Sequence, residues 1–363
     1  MNCAYFGKCG SCTLYPDYDR QLALKVEKFS ELFGQKPQIF TSPQSHFRAR
    51  GEFGIRFYDD VPHYTMYATD GGKIAIDECP IVLKPIFEKM PKLMQWLQND
   101  EVLSHKLFRI DFLSGLSGEV LATLVYHRKL GSAWEEVARA VDKELGIHLI
   151  GRSRGQKVVL SQDYISEKLP IEGKSYRYRH YEGSFTQPNP FVNIKMIEWA
   201  LKQSRDFGGD LLELYCGAGN FTLPLAQNFD KVLATEVSKT SIKAAKENRA
   251  MNGVENVEFV RLSAEEVAEA LRGERKFRRL QGIDLQSYDF HTVFVDPPRC
   301  GLDSTTRDVA KEFENIIYIS CNPATLKRDV EELSATHEIA ALAAFDQFPY
   351  THHLEGGVVL TRR

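Results

Sequence analysis

The sequence predicts an α/β protein: an open, mainly parallel sheet in the carboxyl-terminal half, preceded by a mixed α+β region. Three observations predict it. Short apolar or β-branched runs at 211–215, 233–235, 257–261, 292–295 and 316–319 read as strands buried on both faces. Four of them stop at residues suited to a site: Cys216-Gly217-Ala218-Gly219-Asn220, Glu236, Asp296-Pro297-Pro298-Arg299 and Ser320-Cys321-Asn322-Pro323. Carboxyl ends of strands are where open α/β sheets keep their ligands. Upstream, 38–180 holds five strand candidates and two helix candidates, with no internal repeat or low-complexity stretch.

At 363 residues the chain is long enough for two domains. Lysine and arginine number 46 against 49 acids, a net charge of -3, so any nucleic acid must be held by local basic patches. No apolar run approaches a membrane span, and the start MNCAYFGKCG lacks a signal-peptide pattern. A cytoplasmic monomer with no membrane partner is expected. The seven cysteines (3, 9, 12, 79, 216, 300 and 321) are odd in number, which argues for metal or catalytic use rather than a disulfide framework.

In chain order, Cys3, Cys9 and Cys12 form C-x5-C-x2-C ahead of a helix at about 17–33, and Cys79 lies in DECP. Three clustered thiols and one distant thiol suit a four-sulfur site, and the 3+1 spacing favours [4Fe–4S] over zinc. Strands are expected at 51–58, 63–68, 82–84, 107–113 and 119–127, and helices at 85–98 and 132–145. Cations interleave with rings at 46–50 (including Arg50), at Phe108-Arg109, at 126–129 (including His127) and at 176–181. Phosphate-binding cations beside stacking rings are what an RNA loop requires. The hinge at 183–189, with Pro188 and Pro190 flanking Asn189, divides the chain into 1–182 and 183–363, and a helix at about 192–204 follows.

The glycine turn at 216–220 is E-x-Y-C-G-A-G rather than G-x-G-x-x-G, which points away from a dinucleotide. Glu236, about twenty residues on, suits ribose hydroxyls. S-adenosylmethionine, with a ribose and no phosphate, fits both features. Asp296 stands at a strand tip rigidified by two prolines. Near the carboxyl end, FDQFPYTHHLE is dense in rings and imidazoles around Glu355, a candidate general base with a raised pKa. Cys321 is the candidate nucleophile, its thiol pKa expected to be lowered by Arg299 or a backbone nest. His352-His353 has no third metal ligand nearby in sequence.

The segments HKLFRID, SFTQPN, GDLLELYCGAGNF, LATE, LQGIDL, VFVDPPRCGLD, YISCNPATL and FDQFPYTHHLE resemble the RNA uracil-5-methyltransferase family, most closely its tRNA branch. The resemblance runs from about residue 40 to the end. It implies a Rossmann-like S-adenosylmethionine-dependent methyltransferase domain behind an RNA-binding α+β domain. It further implies C5-methylation of a T-loop uridine, position 54 in tRNA numbering, through a covalent adduct with C6. Cys321 would be nucleophile and Glu355 base. Gln187, Tyr215, Asn220, Glu236 and Asp296 would line the cofactor pocket, and Phe108 and His127 would face RNA. Arg50 and Arg299 are further RNA-side candidates, read from the residues themselves. The cysteine pattern resembles instead the Fe–S-containing ribosomal RNA branch, which leaves 23S rRNA as an alternative substrate. Two further readings stay open: an amino-group methyltransferase using the Asp-Pro-Pro turn, and a redox-responsive Fe–S RNA-binding protein without turnover.

Overall fold

The computed structural model describes residues 1–363 and contains two sheets and one separate hairpin. Helix α1 (Tyr18–Phe33) and the short strand β1 (Gln38–Phe40) come first, then β2 (Arg50–Tyr58), β3 (Val61–Tyr67) and β4 (Lys73–Ile76). Helices α2 (Lys84–Asn99) and α3 (Glu101–Ser104), strands β5 (Leu107–Ser114) and β6 (Val120–Tyr126), helix α4 (Ser132–Leu145) and strands β7 (His148–Ser153) and β8 (Gln156–Val159) follow.

Seven of these strands form one sheet in the order β4-β3-β2-β5-β6-β7-β8, with β6 and β7 its one parallel pair. Phe53, Ile110, Phe112 and Leu124 meet Ile86, Leu93, Trp134 and Val141 of α2 and α4 in a single core. Period-two alternation sends one face there, and Arg109, Asp111, Thr123 and Arg152 to a polar hollow of about 400 Å³ elsewhere on the sheet.

Strands β9 (Tyr164–Ile171) and β10 (Lys174–Tyr181) pair only with each other. Beyond them lie α5 (Pro190–Ser204), β11 (Asp210–Leu214), α6 (Thr222–Leu225), β12 (Val232–Thr235), α7 (Lys239–Asn252), β13 (Val257–Val260) and α8 (Ala264–Leu271). The chain finishes with β14 (Phe290–Val295), α9 (Ser304–Ala310), β15 (Asn315–Ser320), α10 (Pro323–Leu333), β16 (His337–Phe345) and β17 (Glu355–Arg362). The second sheet has the order β1-β16-β17-β15-β14-β11-β12-β13, parallel from β15 to β13, with β17 antiparallel to both β15 and β16. Every residue of β11 and β12 is buried, as a sheet covered on both faces requires. No helix is long and apolar enough to cross a membrane.

The fold departs from three expectations. The boundary at 182/183 does not separate the two bodies, because α1 and β1 belong to the second sheet. Phe29 and Phe33 join its core, and Phe40 pairs with Phe345 at its edge. The expected strand at 82–84 makes only an isolated bridge, Arg48 to Val82, and Lys84 opens α2 with Pro85 near its start, where a missing N–H costs nothing. In the ring-and-cation run at 176–181 the tyrosine rings are buried and not free to stack on an RNA base. Tyr176 and Tyr178 are buried against α5 and the glycine turn, and Asn252 and Asn248 accept the β10 backbone N–H groups of Arg177 and Arg179. Side-chain amides thus close the edge of a strand that would otherwise be free to pair elsewhere.

Candidate active site

Strand register alone lines up the candidate residues. In the parallel block Thr235, Leu214, Val295 and Tyr318 are level with one another. One residue further on come Glu236, Tyr215 and Asp296, side by side at the carboxyl ends of β12, β11 and β14. Antiparallel β15 and β17 pair Ile319 with Gly357 and Ser320 with Gly356. One more step of that register sets Cys321 opposite Glu355. The nucleophile and base candidates, far apart in sequence, therefore face each other across two neighbouring strands beside Asp296.

Cys321 is half-buried between the end of β15 and Asn322, the N-cap of α10. Asn322 Oδ1 accepts from Ala324 N at 3.2 Å, and its amide donates to Arg299 O at 3.1 Å, tying the thiol's loop to the Asp-Pro-Pro-Arg turn. That turn is fixed a second time by Asp329, wholly buried, which accepts from Leu302 N at 2.8 Å and Tyr318 Oη at 2.7 Å. Gly301 at φ +77° is required there, since a Cβ would come 2.5 Å from Asp329 Oδ2.

The electrostatics differ from the expectation for Cys321. Burial first, then the charges of Glu355 and Asp296, push its thiol up to about 11; Arg299 pulls the other way and is outweighed. Glu355, 3% exposed, has its carboxyl raised well above the ordinary range by burial and by the Asp296 charge, as predicted for a carboxylate packed among rings. Asp296 is pushed up to about 7 by burial, against the Gln187 amide donating to Oδ2 at 3.1 Å. Beneath them Glu213, enclosed in β11, is raised to about 8 chiefly by burial. The site is a thiol among carboxyl groups that hold protons near neutrality.

At the cofactor end, Glu236 accepts Gly217 N–H on Oε2 at 3.2 Å and Ser238 N–H on Oε1 at 2.8 Å. Each oxygen keeps a further lone pair for a ribose hydroxyl. Tyr215 adopts φ +62°, turning the chain sharply out of β11. Asn220 exchanges two 2.8 Å hydrogen bonds with Asn193 of α5, and its backbone carbonyl accepts from Tyr178 Oη at 3.1 Å. These residues fit S-adenosylmethionine: an acid for the ribose beside a tight glycine turn, in which a Cβ at Gly219 would sit 3.1 Å from Phe259.

The base-side loop is organised from a distance. Lys25 on α1, 5% exposed, pairs with buried Asp346 and donates to Phe348 O at 3.0 Å and His353 O at 3.1 Å. Gln21, one turn earlier, donates to Asp346 Oδ2 at 3.1 Å and accepts from Tyr350 N at 3.2 Å. Neither residue is singled out by the sequence reading. The available signal is a polar pair at i and i+4 in register with Phe29 and Phe33, since a lysine on a buried stripe needs a partner.

On the first sheet, Phe108 and His127 stack at 4.1 Å with 15° between planes, and His127 is exposed. Arg50 donates from Nε to Thr186 at 2.8 Å and from Nη2 to Ser184 O, so it holds the hinge while also lining the polar hollow. Arg299 donates to His353 Nδ1 at 3.1 Å; burial keeps that imidazole neutral by lowering its pKa. Cys3, Cys9, Cys12 and Cys79 are neighbours: negative charge on Cys79, Cys9 and Cys3 adds to burial in raising Cys12 to about 12. No three side chains among them converge as metal ligands, and all seven cysteines are free thiols.

A model of the tRNA (Uracil-5-)-methyltransferase family matches residues 17–363. The chain belongs to that family. A tRNA/tmRNA (uracil-C(5))-methyltransferase of Nitratiruptor is 61% identical over 100% of both chains, and that of Sulfurimonas denitrificans is 51% identical over 100% of both. Among solved structures, Pyrococcus abyssi tRNA (uracil-54, C5)-methyltransferase in complex with S-adenosyl-L-homocysteine superposes with a TM-score of 0.75 at 22% identity, covering 97% of this chain and 86% of that one. The fold expectation, a Rossmann-like methyltransferase body, is borne out.

Proposed function

We infer that this family member methylates C5 of a uridine in tRNA, with Cys321 as nucleophile and Glu355 as base. The observation that carries the reading is the register of β15 against β17, which sets thiol and carboxyl face to face beside Asp296. S-adenosylmethionine, when bound at Glu236, Tyr215 and Asn220, supplies the methyl group. Cys321 Sγ bonds to C6 of the uracil, and the C5–C6 electron pair moves into an enolate across C5 and O4. That enolate makes C5 nucleophilic enough to take the methyl, whose bond to the donor's sulfonium sulfur would break and leave a neutral thioether. Glu355 then accepts the C5 proton, the C5–C6 double bond re-forms, and the Cys321–C6 bond breaks to return the thiolate. The high thiol pKa makes a proton acceptor necessary at the first step, and the ionised carboxylate of Asp296 is the neighbour that becomes available near neutral pH.

The base must leave its stack to reach the cleft, which costs a few kcal/mol. The Phe108–His127 stack, with His127 exposed, supports a role in holding the RNA opened in this way. We place the T-loop uridine of tRNA first and a 23S rRNA uridine second. Labelled methyl transfer to each RNA separately tests the order; label on 23S rRNA alone would reverse it. A cytoplasmic monomer is the proposed state, and sedimentation tests it.

A second reading concerns the four amino-terminal thiols. Their sulfur-only donor set, gathered in one neighbourhood, supports a [4Fe–4S] cluster. About four irons and four sulfides per chain after anaerobic purification are expected; none would refute it.

A further inference from the structure

Gln347 follows Asp346 on the loop between β16 and β17 and is 1% exposed. Its amide nitrogen donates to Gln187 Oε1 at 2.9 Å and to Met196 Sδ at 3.6 Å, while its own Oε1 is buried without a partner. A thioether sulfur accepts and cannot donate. Turning the Gln347 amide over would set its oxygen against that sulfur and against the Gln187 carbonyl. Its orientation is therefore determined from below.

The constraint passes upward. With its oxygen occupied, the Gln187 amide must present nitrogen to Asp296, as the 3.1 Å contact records. One N–H of that nitrogen goes to Asp296 Oδ2, and the other is left for a ligand. The cleft wall thus offers an N–H donor beside a carboxylate acceptor. Uracil carries the complement, the O4 acceptor beside the N3–H donor. Cytosine carries the reverse, the N4 amino donor beside the bare N3 acceptor, and would be mismatched at both positions.

We propose that Gln347 is a positioning residue for base choice: by holding the Gln187 amide in one of its two orientations, it makes the cleft accept uracil and reject cytosine. This rests on the proposed uracil methylation. A protonated Asp296 can face either end of the Gln187 amide, so losing the Gln347 donor weakens the selectivity without removing Gln187 or Asp296.

The test uses the full-length enzyme, labelled S-adenosylmethionine and two hairpin RNAs that differ only in uridine or cytidine at the target position. In Gln347→Met, of similar length but with no donor, kcat/KM on the uridine hairpin is expected to fall about tenfold. The cytidine-to-uridine ratio of Kd should shrink by about the same factor. Kd is measured for both hairpins, so slow turnover on cytidine does not blank the comparison. Gln347→Glu gives a second reading: once ionised it can only accept, so uridine preference should decline further as pH rises. A loss of binding common to both hairpins, or a ratio within about twofold of wild type in both variants, overturns the proposal. Wild-type enzyme that methylates neither hairpin would instead overturn the uracil reading beneath it.

Discussion

The two sheets solve opposite problems. The second is parallel at its centre and buried on both faces, so only its strand ends reach solvent, and everything reactive collects along one edge. The first is mostly antiparallel, with helices on one face, and it can spend area rather than an edge: a polar hollow and a stacked Phe108–His127 pair. A double-covered sheet concentrates chemistry at a line, while a single-covered sheet spreads contacts over a surface. Substitutions on the second sheet should therefore stop the reaction, and substitutions on the first should weaken capture of RNA and leave the reaction intact.

The largest expected effect is Cys321→Ala, which should abolish methyl transfer and the denaturation-stable adduct with 5-fluorouridine RNA, read on a gel. Residual turnover would break the contrast at its centre. Next, Glu355→Gln should lower kcat about 10²- to 10⁴-fold and let a methylated covalent adduct accumulate, detected by mass spectrometry. Lys25→Met leaves the Asp346 carboxylate buried and unpaired, a change that costs about 3–5 kcal/mol. It should lower Tm by several degrees and reduce kcat through the loop carrying Glu355, checked by calorimetry beside the assay. On the other sheet, Phe108→Ala should raise KM for RNA by a factor equivalent to about 1–3 kcal/mol of stacking, leaving KM for S-adenosylmethionine and single-turnover rate at saturating RNA unchanged. A fall in that rate would place the first sheet inside the chemistry.

The mildest probe is pH. Asp296 keeps its proton up to about 7, so its acceptor form grows as pH rises toward that value. Below it, kcat/KM should climb about tenfold per unit, and the climb should go on above it as Glu355, whose carboxyl is also raised, ionises. Asp296→Asn should remove that inflection.

Much of the second sheet was legible because buried parallel strands read as short apolar runs and their ends carry the unusual residues: Cys216 to Asn220, Glu236, Asp296 and Cys321. The first sheet was legible in outline, with α4 expected and found at 132–145. The run at 176–181 misled because rings and cations in alternation describe a docked hairpin as well as an RNA-facing strand; only the partner on each face tells them apart. Gln347 stood in a quoted motif, yet its part in the amide chain depends on Gln187 and Met196, which no spacing rule joins to it.

Composition and motif order by themselves determined the class of chemistry, since a thiol after a strand, a carboxylate after another and a glycine turn keep their meaning wherever the chain runs. Tertiary structure alone decided that Glu355 faces Cys321, that α1 crosses from the amino terminus to brace the loop before Glu355, and that the thiol is pushed up rather than down. The physical reason is that pairing register, burial and the sum of nearby charges are properties of neighbours in space, and folding chooses those neighbours from distant parts of the chain.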